Sequence, residues 1–273
     1  MVFMVKFIPR EKILERLWKK IDSGEPIIVA GTSIGSTAKS AEIGGADLIL
    51  FYTSGRYTMA GRGSMIGLLP YGDANAMTLE MAREIVPVVQ KTPVIAGVCG
   101  TDPFRDIKAF LRELKEANVS GVINFPTVAM FDGTFREIIE KQGISHELEV
   151  DMIRMARELD MLTAPYVFNI KETVRMVESG ADMIIVHVGY KRTPLTLDES
   201  VKVLQEIHET AIKLNPNIIV ICHGEPIVEP ADFEYVYKHA TGIAGFMGFS
   251  GVERLPTERA VREQVQKFKS VRR

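Results

Sequence analysis

A chain of 273 residues, 46% hydrophobic and 25% charged, is long enough to bury the core of one full α/β domain. Its 33 basic and 35 acidic residues give a formal charge of -2 and are scattered, which argues against an electrostatic grip on nucleic acid or membrane and leaves a small molecule as the expected partner. Two cysteines, Cys99 and Cys222, argue against a disulfide framework, and the apolar start from Met1 to Ile8 is too short to span a bilayer, so a cytoplasmic location is expected.

In chain order, a helix over Glu11 to Ser23 precedes the apolar run Ile27-Ile28-Val29-Ala30-Gly31, the first expected strand. A helix over Ala38 to Ile43 then leads into Gly44-Gly45-Ala46-Asp47-Leu48-Ile49-Leu50-Phe51-Tyr52. This phrase returns at Ser179-Gly180-Ala181-Asp182-Met183-Ile184-Ile185-Val186-His187, with Gly45 and Gly180 separated by 180 minus 45, or 135, residues. A helix-stopping Gly and an Asp before a continuous apolar run are how a helix hands over to a buried parallel strand. Written twice, the phrase predicts repeated strand and helix units.

Further strands are expected at Pro93 to Val98, Gly121 to Phe125, Leu162 to Val167, Asp182 to Val188, Ile218 to Cys222 and Gly242 to Gly248. Helical spacing fills the intervals Leu79 to Val89, Asp106 to Ala117, His146 to Leu159, Lys171 to Ser179, Leu197 to Leu214 and Thr257 to Phe268, with a short extra helix over Phe135 to Lys141. Eight strands in this length favour a single-domain (β/α)8 TIM barrel over a doubly wound sheet. The connection from Thr53 to Asp73, with five glycines, Arg56 and Arg62, is too long for a simple turn, and its Tyr57, Met65, Leu68, Leu69 and Tyr71 predict an ordered lid.

In such a barrel the chemistry sits just past the carboxyl ends of the strands. His187 and His223 both fall there, where a neutral imidazole moves protons near pH 7. Asp102 and Glu225 are the carboxylates placed to hold a hard cation such as Mg2+, although Asp102 before Pro103 equally suits a helix N-cap. Gly31-Thr32-Ser33-Ile34-Gly35 has the spacing of a nucleophile elbow, yet no acid and His pair attaches to it, so Ser33 reads as part of an anion-binding turn. Gly248-Phe249-Ser250-Gly251 before Arg254 is a second such turn, in the place where barrel enzymes bind phosphate. Cys99 and Cys222 read as core filler on strands across the barrel from each other.

The motifs Tyr52-Thr53-Ser54-Gly55-Arg56, Ala60-Gly61-Arg62-Gly63-Ser64, Ala96-Gly97-Val98-Cys99-Gly100-Thr101-Asp102-Pro103, Asn124-Phe125-Pro126-Thr127-Val128 and Glu253-Arg254-Leu255-Pro256-Thr257-Glu258 resemble the phosphoenolpyruvate hydrolase-like TIM-barrel family across nearly the whole chain. That family is related to phosphoenolpyruvate mutases and lyases, and a similar barrel forms the carboxyl-terminal part of a plant inhibitor of viral RNA replication. Three mouth loops depart from the family pattern: His187-Val188-Gly189-Tyr190-Lys191-Arg192, His223-Gly224-Glu225-Pro226 and Gly248-Phe249-Ser250-Gly251.

The resemblance implies an enzyme acting on a small phosphorylated or carboxylated compound of the phosphoenolpyruvate or 2-oxo acid type by hydrolysis or lyase chemistry. In that expectation Ser33, Ser54, Arg56, Asn124, Gly248, Ser250, Gly251 and Arg254 hold the anion, Asp102 and Glu225 place Mg2+, and His187 and His223 exchange protons. The alternative is a small-anion sensor or interaction barrel without turnover. Pairing through outer helices into a homo-oligomer is expected in either case.

Overall fold

The computed structural model describes residues 6–190 and 193–273, so Lys191 and Arg192 of the departing loop lie outside the described residues. One nine-stranded, all-parallel sheet curls on itself, with hydrogen-bonded order β5-β4-β3-β2-β1-β9-β8-β7-β6. Its strands are β1 (Ile27–Gly31), β2 (Leu48–Phe51), β3 (Val94–Val98), β4 (Gly121–Asn124), β5 (Leu162–Thr163), β6 (Tyr166–Val167), β7 (Met183–His187), β8 (Ile219–His223) and β9 (Ile243–Gly248). The helices are α1 (Arg10–Asp22), α2 (Gly35–Ile43), α3 (Thr53–Met59), α4 (Ala74–Ile85), α5 (Ile107–Glu116), α6 (Gly133–Lys141), α7 (His146–Glu158), α8 (Ile170–Glu178), α9 (Leu197–Leu214), α10 (Pro230–His239) and α11 (Arg254–Lys269).

The fold is TIM-barrel-like, with one departure from the expected eight-strand ring. The single fifth strand expected over 162–167 is two short pieces: β5 pairs with β4 and β6 with β7. Ala164 and Pro165 lie between them, and Pro165 has no N–H to give a ladder. The ladder therefore has two ends. These ends are consecutive pieces of chain, linked across to β7 by Asp182 N–H to Thr163 O (3.2 Å) and Ile185 N–H to Pro165 O (2.9 Å).

The twin phrases fold alike. Gly45 and Gly180 share φ of 92°, a left-handed conformation in which any Cβ is strained, and each ends its helix. Asp47 N donates to Ile28 O (2.9 Å) while its Oδ2 accepts from Ile28 N (2.9 Å). Asp182 repeats this on Thr163, donating from N and accepting at Oδ2 from N (3.0 Å) and from Oγ1 (2.9 Å). Each Asp thus clips the start of its strand to a neighbouring piece of sheet.

Two apolar layers follow from strand alternation. Ile27, Val29, Leu48, Leu50, Ile95, Ile123, Ile185 and Ile221 fill the inside of the curl, where Ile13 and Leu17 of α1 join them. Arg10 of α1 pairs with Asp182 at 2.7 Å, which fixes that helix to the amino-terminal end of the sheet. The outer faces of the strands pack on the helices through Ile49, Phe51, Leu111, Ile153, Met176 and Ile184. α10 is absent from the helices expected by spacing; Pro230 at its first turn and aromatics at 233, 235 and 237 give it little apolar periodicity. The expected lid is ordered as α3 and a short 3₁₀ turn over Ser64–Leu68.

Candidate active site

Each of strands β2, β4 and β9 is followed at once by an aromatic residue: Tyr52, Phe125 and Phe249. Tyr52 stacks between the other two, with ring centroids 4.2 Å from Phe125 and 4.4 Å from Phe249. Tyr166 of β6 meets Tyr52 edge-on, its hydroxyl 3.3 Å from that of Tyr52 and 3.5 Å from Met247 Sδ. Burial raises both phenols well above their usual range, so they stay protonated and act only as neutral hydrogen-bonding groups.

His187 and His223 close β7 and β8 and are register partners in the ladder. Their rings meet edge to face with centroids 4.6 Å apart. Phe168 stacks on His187 at 5.1 Å and Tyr190 covers it at 4.7 Å. The backbone fixes opposite tautomers. Gly189 N–H donates to His187 Nδ1 (3.1 Å), so that nitrogen is the acceptor and the ring proton sits on Nε2. His223 Nδ1 lies 2.8 Å from the Met247 carbonyl, which only accepts, so His223 carries its proton on Nδ1 and its lone pair on Nε2. Burial pulls the His223 pKa down to about 4 against the opposing pull of that carbonyl, and the ring is neutral at pH 7.

The two imidazoles border a cavity of about 260 Å³ at the carboxyl end of the sheet. Tyr52, Ser54, Ser64, Glu225, Gly248, Ser250, Gly251 and Arg254 also line it. Most of the expected mouth residues are therefore gathered in one place. Ser54 Oγ donates to Ser64 O (2.7 Å), and Ser64 Oγ lies 3.2 Å from the Tyr190 hydroxyl, so the long loop reaches across to the loop after β7.

Four expected residues stand elsewhere. Ser33 binds an anion, but that anion is the chain's own Glu253: Ser33 N donates to Oε1 (2.6 Å), and the hydroxyls of Ser33 and Thr37 donate to the same carboxylate. Burial raises the Glu253 pKa against these hydrogen bonds. Arg56 turns from the cavity to Glu84 of α4 (3.6 Å). Asn124 is buried, donating to Glu149 Oε2 (2.6 Å) and accepting from Tyr166 N (2.7 Å). Asp102 accepts from Phe104 N (2.9 Å), Asn75 Nδ2 (2.9 Å) and Arg105 Nη1 (2.8 Å), which holds its carboxyl below the usual range despite partial burial.

The expected Mg2+ pair does not converge. Asp102 lines a separate apolar cavity beside Cys99 and Phe104, and its oxygens are already engaged, whereas Glu225 is the carboxylate at the histidine cavity. Among the described residues no group of three or more His, Cys, Asp or Glu side chains is placed to hold a metal. Asp102 and Glu225 therefore do not form a single cation site, and Glu225 is the expected carboxylate that lines the histidine cavity.

Sequence reasoning passed over Glu149 and Phe168, and it placed Tyr52 past the second strand and Tyr190 in a mouth loop without the ring stacking that joins Tyr52 to Phe125 and Phe249. Glu149 of α7 accepts from Asn124, from Thr127 Oγ1 (2.6 Å) and from Val128 N (2.7 Å), and thereby shapes the turn after β4. Full burial raises its pKa to about 7, against those three donors. The aromatic trio had a signal, since one ring follows each of three strands; Glu149 had none, being one acid among several on a charged helix.

The phosphoenolpyruvate hydrolase-like family matches residues 12–271, and the chain belongs to that family. It is 48% identical over 266 residues to the ToMV susceptible protein tm-1(GCR26) of Solanum lycopersicum, covering 95% of this chain and 35% of that protein. It is also 48% identical over 269 residues to the ToMV resistance protein Tm-1(GCR237) of the same plant, covering 96% and 36%. The chain thus spans about a third of the length of these relatives. Among solved structures it resembles phosphonopyruvate hydrolase complexed with oxalate and Mg2+ (TM-score 0.63, 16% identity, 97% of this chain and 89% of that chain). Oxaloacetate acetylhydrolase is similar to the same degree (TM-score 0.63, 16% identity, 96% and 88%). At such identity the likeness is one of fold.

Proposed function

We propose that this chain is an enzyme of small anionic metabolites, of the phosphoenolpyruvate or 2-oxo acid type, working by proton transfer that leads to hydrolysis or lyase cleavage. The observation that carries the reading is the pair of imidazoles, His187 accepting and His223 donating at Nδ1, 4.6 Å apart and bordering one cavity. His223 Nε2 has the lone pair of a general base, and His187 Nε2–H is the matching donor to an oxygen that gains charge as an enolate develops. Arg254 and the Gly248–Gly251 turn supply positive potential for the carboxylate or phosphoryl group. An anion seated there raises the His223 pKa from about 4 toward neutrality and makes it a stronger base once the ligand has bound. Membership of the phosphoenolpyruvate hydrolase-like family supports this substrate class.

The test is to incubate the purified chain in deuterated buffer with phosphoenolpyruvate, phosphonopyruvate, oxaloacetate and pyruvate, each with and without Mg2+, and to follow products and C–H exchange by NMR. Turnover or exchange above background, reduced about 100-fold or more in His223→Ala, is expected. Thermal stabilisation by one of these anions without product or exchange would instead select the binding barrel.

A further inference from the structure

Besides the histidine cavity, the carboxyl end of the sheet holds an apolar cavity of about 550 Å³ that shares none of its lining residues. Its walls come from the long loop with α3, the turns after β3 and β4, and α6. Leu68, Met77, Pro103, Val128 and Phe131 make those walls apolar. α6 buries none of its residues, yet Phe135 and Ile139 stand at i and i+4 and both line the cavity. The wall formed by the long loop is closely packed, since a Cβ on Gly72 would come within 2.9 Å of Met77 Cε and 3.3 Å of the Tyr57 hydroxyl. A cavity of this size with apolar walls and few polar groups has the form of a small-molecule site.

Two observations define what it takes. Thr53, the first residue of α3, lines the cavity and is 0% exposed, and its hydroxyl has no hydrogen-bond partner among the described residues. A buried hydroxyl left in that state costs free energy, which a ligand with one hydrogen-bonding group at that point recovers. Charge decides the rest. Asp73 and Asp102 line the cavity with Arg105 between them, 2.8 Å from each. The hydrogen bond from Arg105 lowers the Asp73 pKa, and that of Asp102 is lowered, against partial burial, by Phe104 N–H, Asn75 and Arg105. Both acids are therefore ionised at pH 7, and the trio carries one negative charge in excess. An anion is repelled there and favoured instead in the histidine cavity beside Arg254.

We propose that this cavity binds a neutral, largely apolar small molecule, aromatic or alicyclic, carrying one hydrogen-bonding group that meets Thr53. The site is distinct from the histidine cavity and has the opposite chemistry. The two come together at the head of α3, where Thr53 lines one and the next residue, Ser54, lines the other. An occupant of the apolar cavity therefore rests against the helix that carries Ser54. The site does not depend on turnover at the histidines.

The test uses the whole chain, isotope-labelled at its methionine methyls, with naphthol as the probe. Naphthalene and a naphthoate substituted at the same carbon serve as its apolar and anionic counterparts. Naphthol is expected to shift the Met77 methyl signal saturably and to leave that of Met247, which lines the histidine cavity, in place. It should bind about 5-fold or more tighter than naphthalene, an advantage lost in Thr53→Val and kept in Thr53→Ser. Naphthoate should bind about 10-fold or more weakly than naphthol. Leu69→Glu with Ile144→Glu, at wall positions 49% and 38% exposed, should weaken naphthol about 10-fold or more, whereas Ile43→Glu on α2 leaves it unchanged. Because neither wall residue is buried, the double variant is expected to keep the parent's far-UV circular dichroism. No shift at Met77, an equal shift at Met247, naphthoate bound as tightly as naphthol, a naphthol preference that survives Thr53→Val, or a folded double variant that binds like the parent would each overturn the proposal.

Discussion

Glu149 and His223 show how burial moves an acid and a base in opposite directions, each toward its neutral form. Glu149 has a folded pKa of about 7 against an ordinary 4.5, so its contribution to stability is full below pH 4.5 and is lost as pH rises toward 7. His223, and His146 at the head of α7, have folded values of about 4 against 6.5, so theirs is full above 6.5 and is lost as pH falls toward 4. Between pH 4.5 and 6.5 the two effects oppose one another. Glu149→Gln should therefore unmask the histidines: urea midpoints measured from pH 7 down to 4.5 should fall more steeply in the variant than in the parent. An equal or shallower slope would remove Glu149 from this role. The same residue shows the limit of reading side chains from sequence. His187 and His223 were legible because strand ends are predictable and histidine is rare, whereas Glu149 acts through α7 packing against β4, which no local pattern encodes.

At the scale of elements, the repeated Gly and Asp phrase was the clearest local signal, and it encodes a two-bond clip seen twice. The copies are not equal in cost. Asp182 is 3% exposed and also receives Arg10, while Asp47 is 12% exposed with Lys20 at 3.7 Å. Asp182→Ala should cost about 3 kcal/mol and Asp47→Ala about 1 kcal/mol in chemical denaturation, because removing a buried acid strands its cation and two donors. Equal losses would mean that the ion pair adds nothing to the clip. Strand limits were readable to within a residue or so, because parallel strands buried on both faces are continuous apolar runs. The fifth was not, since Pro165 decides pairing there through a missing N–H rather than through hydrophobicity. Within the long loop, α3 sets Gly55 against the turn after β1. A Cβ on Gly55 would overlap Ser33 Oγ and come within 2.7 Å of Phe249 Cζ. Gly55→Ala should destabilise by about 1–3 kcal/mol by pushing Ser33 from Glu253 and Phe249 from Tyr52; a neutral effect would mean that this junction yields freely.

For the molecule as a whole, barrel-like architecture and the place of the cavity followed from counting strands, but which side chains turn inward did not. Arg56 and Asp102 sit where the expected ring would place them, and each is drawn aside by a nearer partner of opposite charge, Glu84 and Arg105. Residue type and strand number locate a mouth; pairwise electrostatics decide who faces it.

The grip of Glu253 on Ser33 and Thr37 joins residues 220 and 216 positions apart. On a ribosome the first βα turn emerges long before its carboxylate exists, and its amide and hydroxyls face solvent until residue 253 has been made and has cleared the exit tunnel. The order of synthesis thus places the carboxylate that sets the first βα turn among the last residues of the barrel to be made.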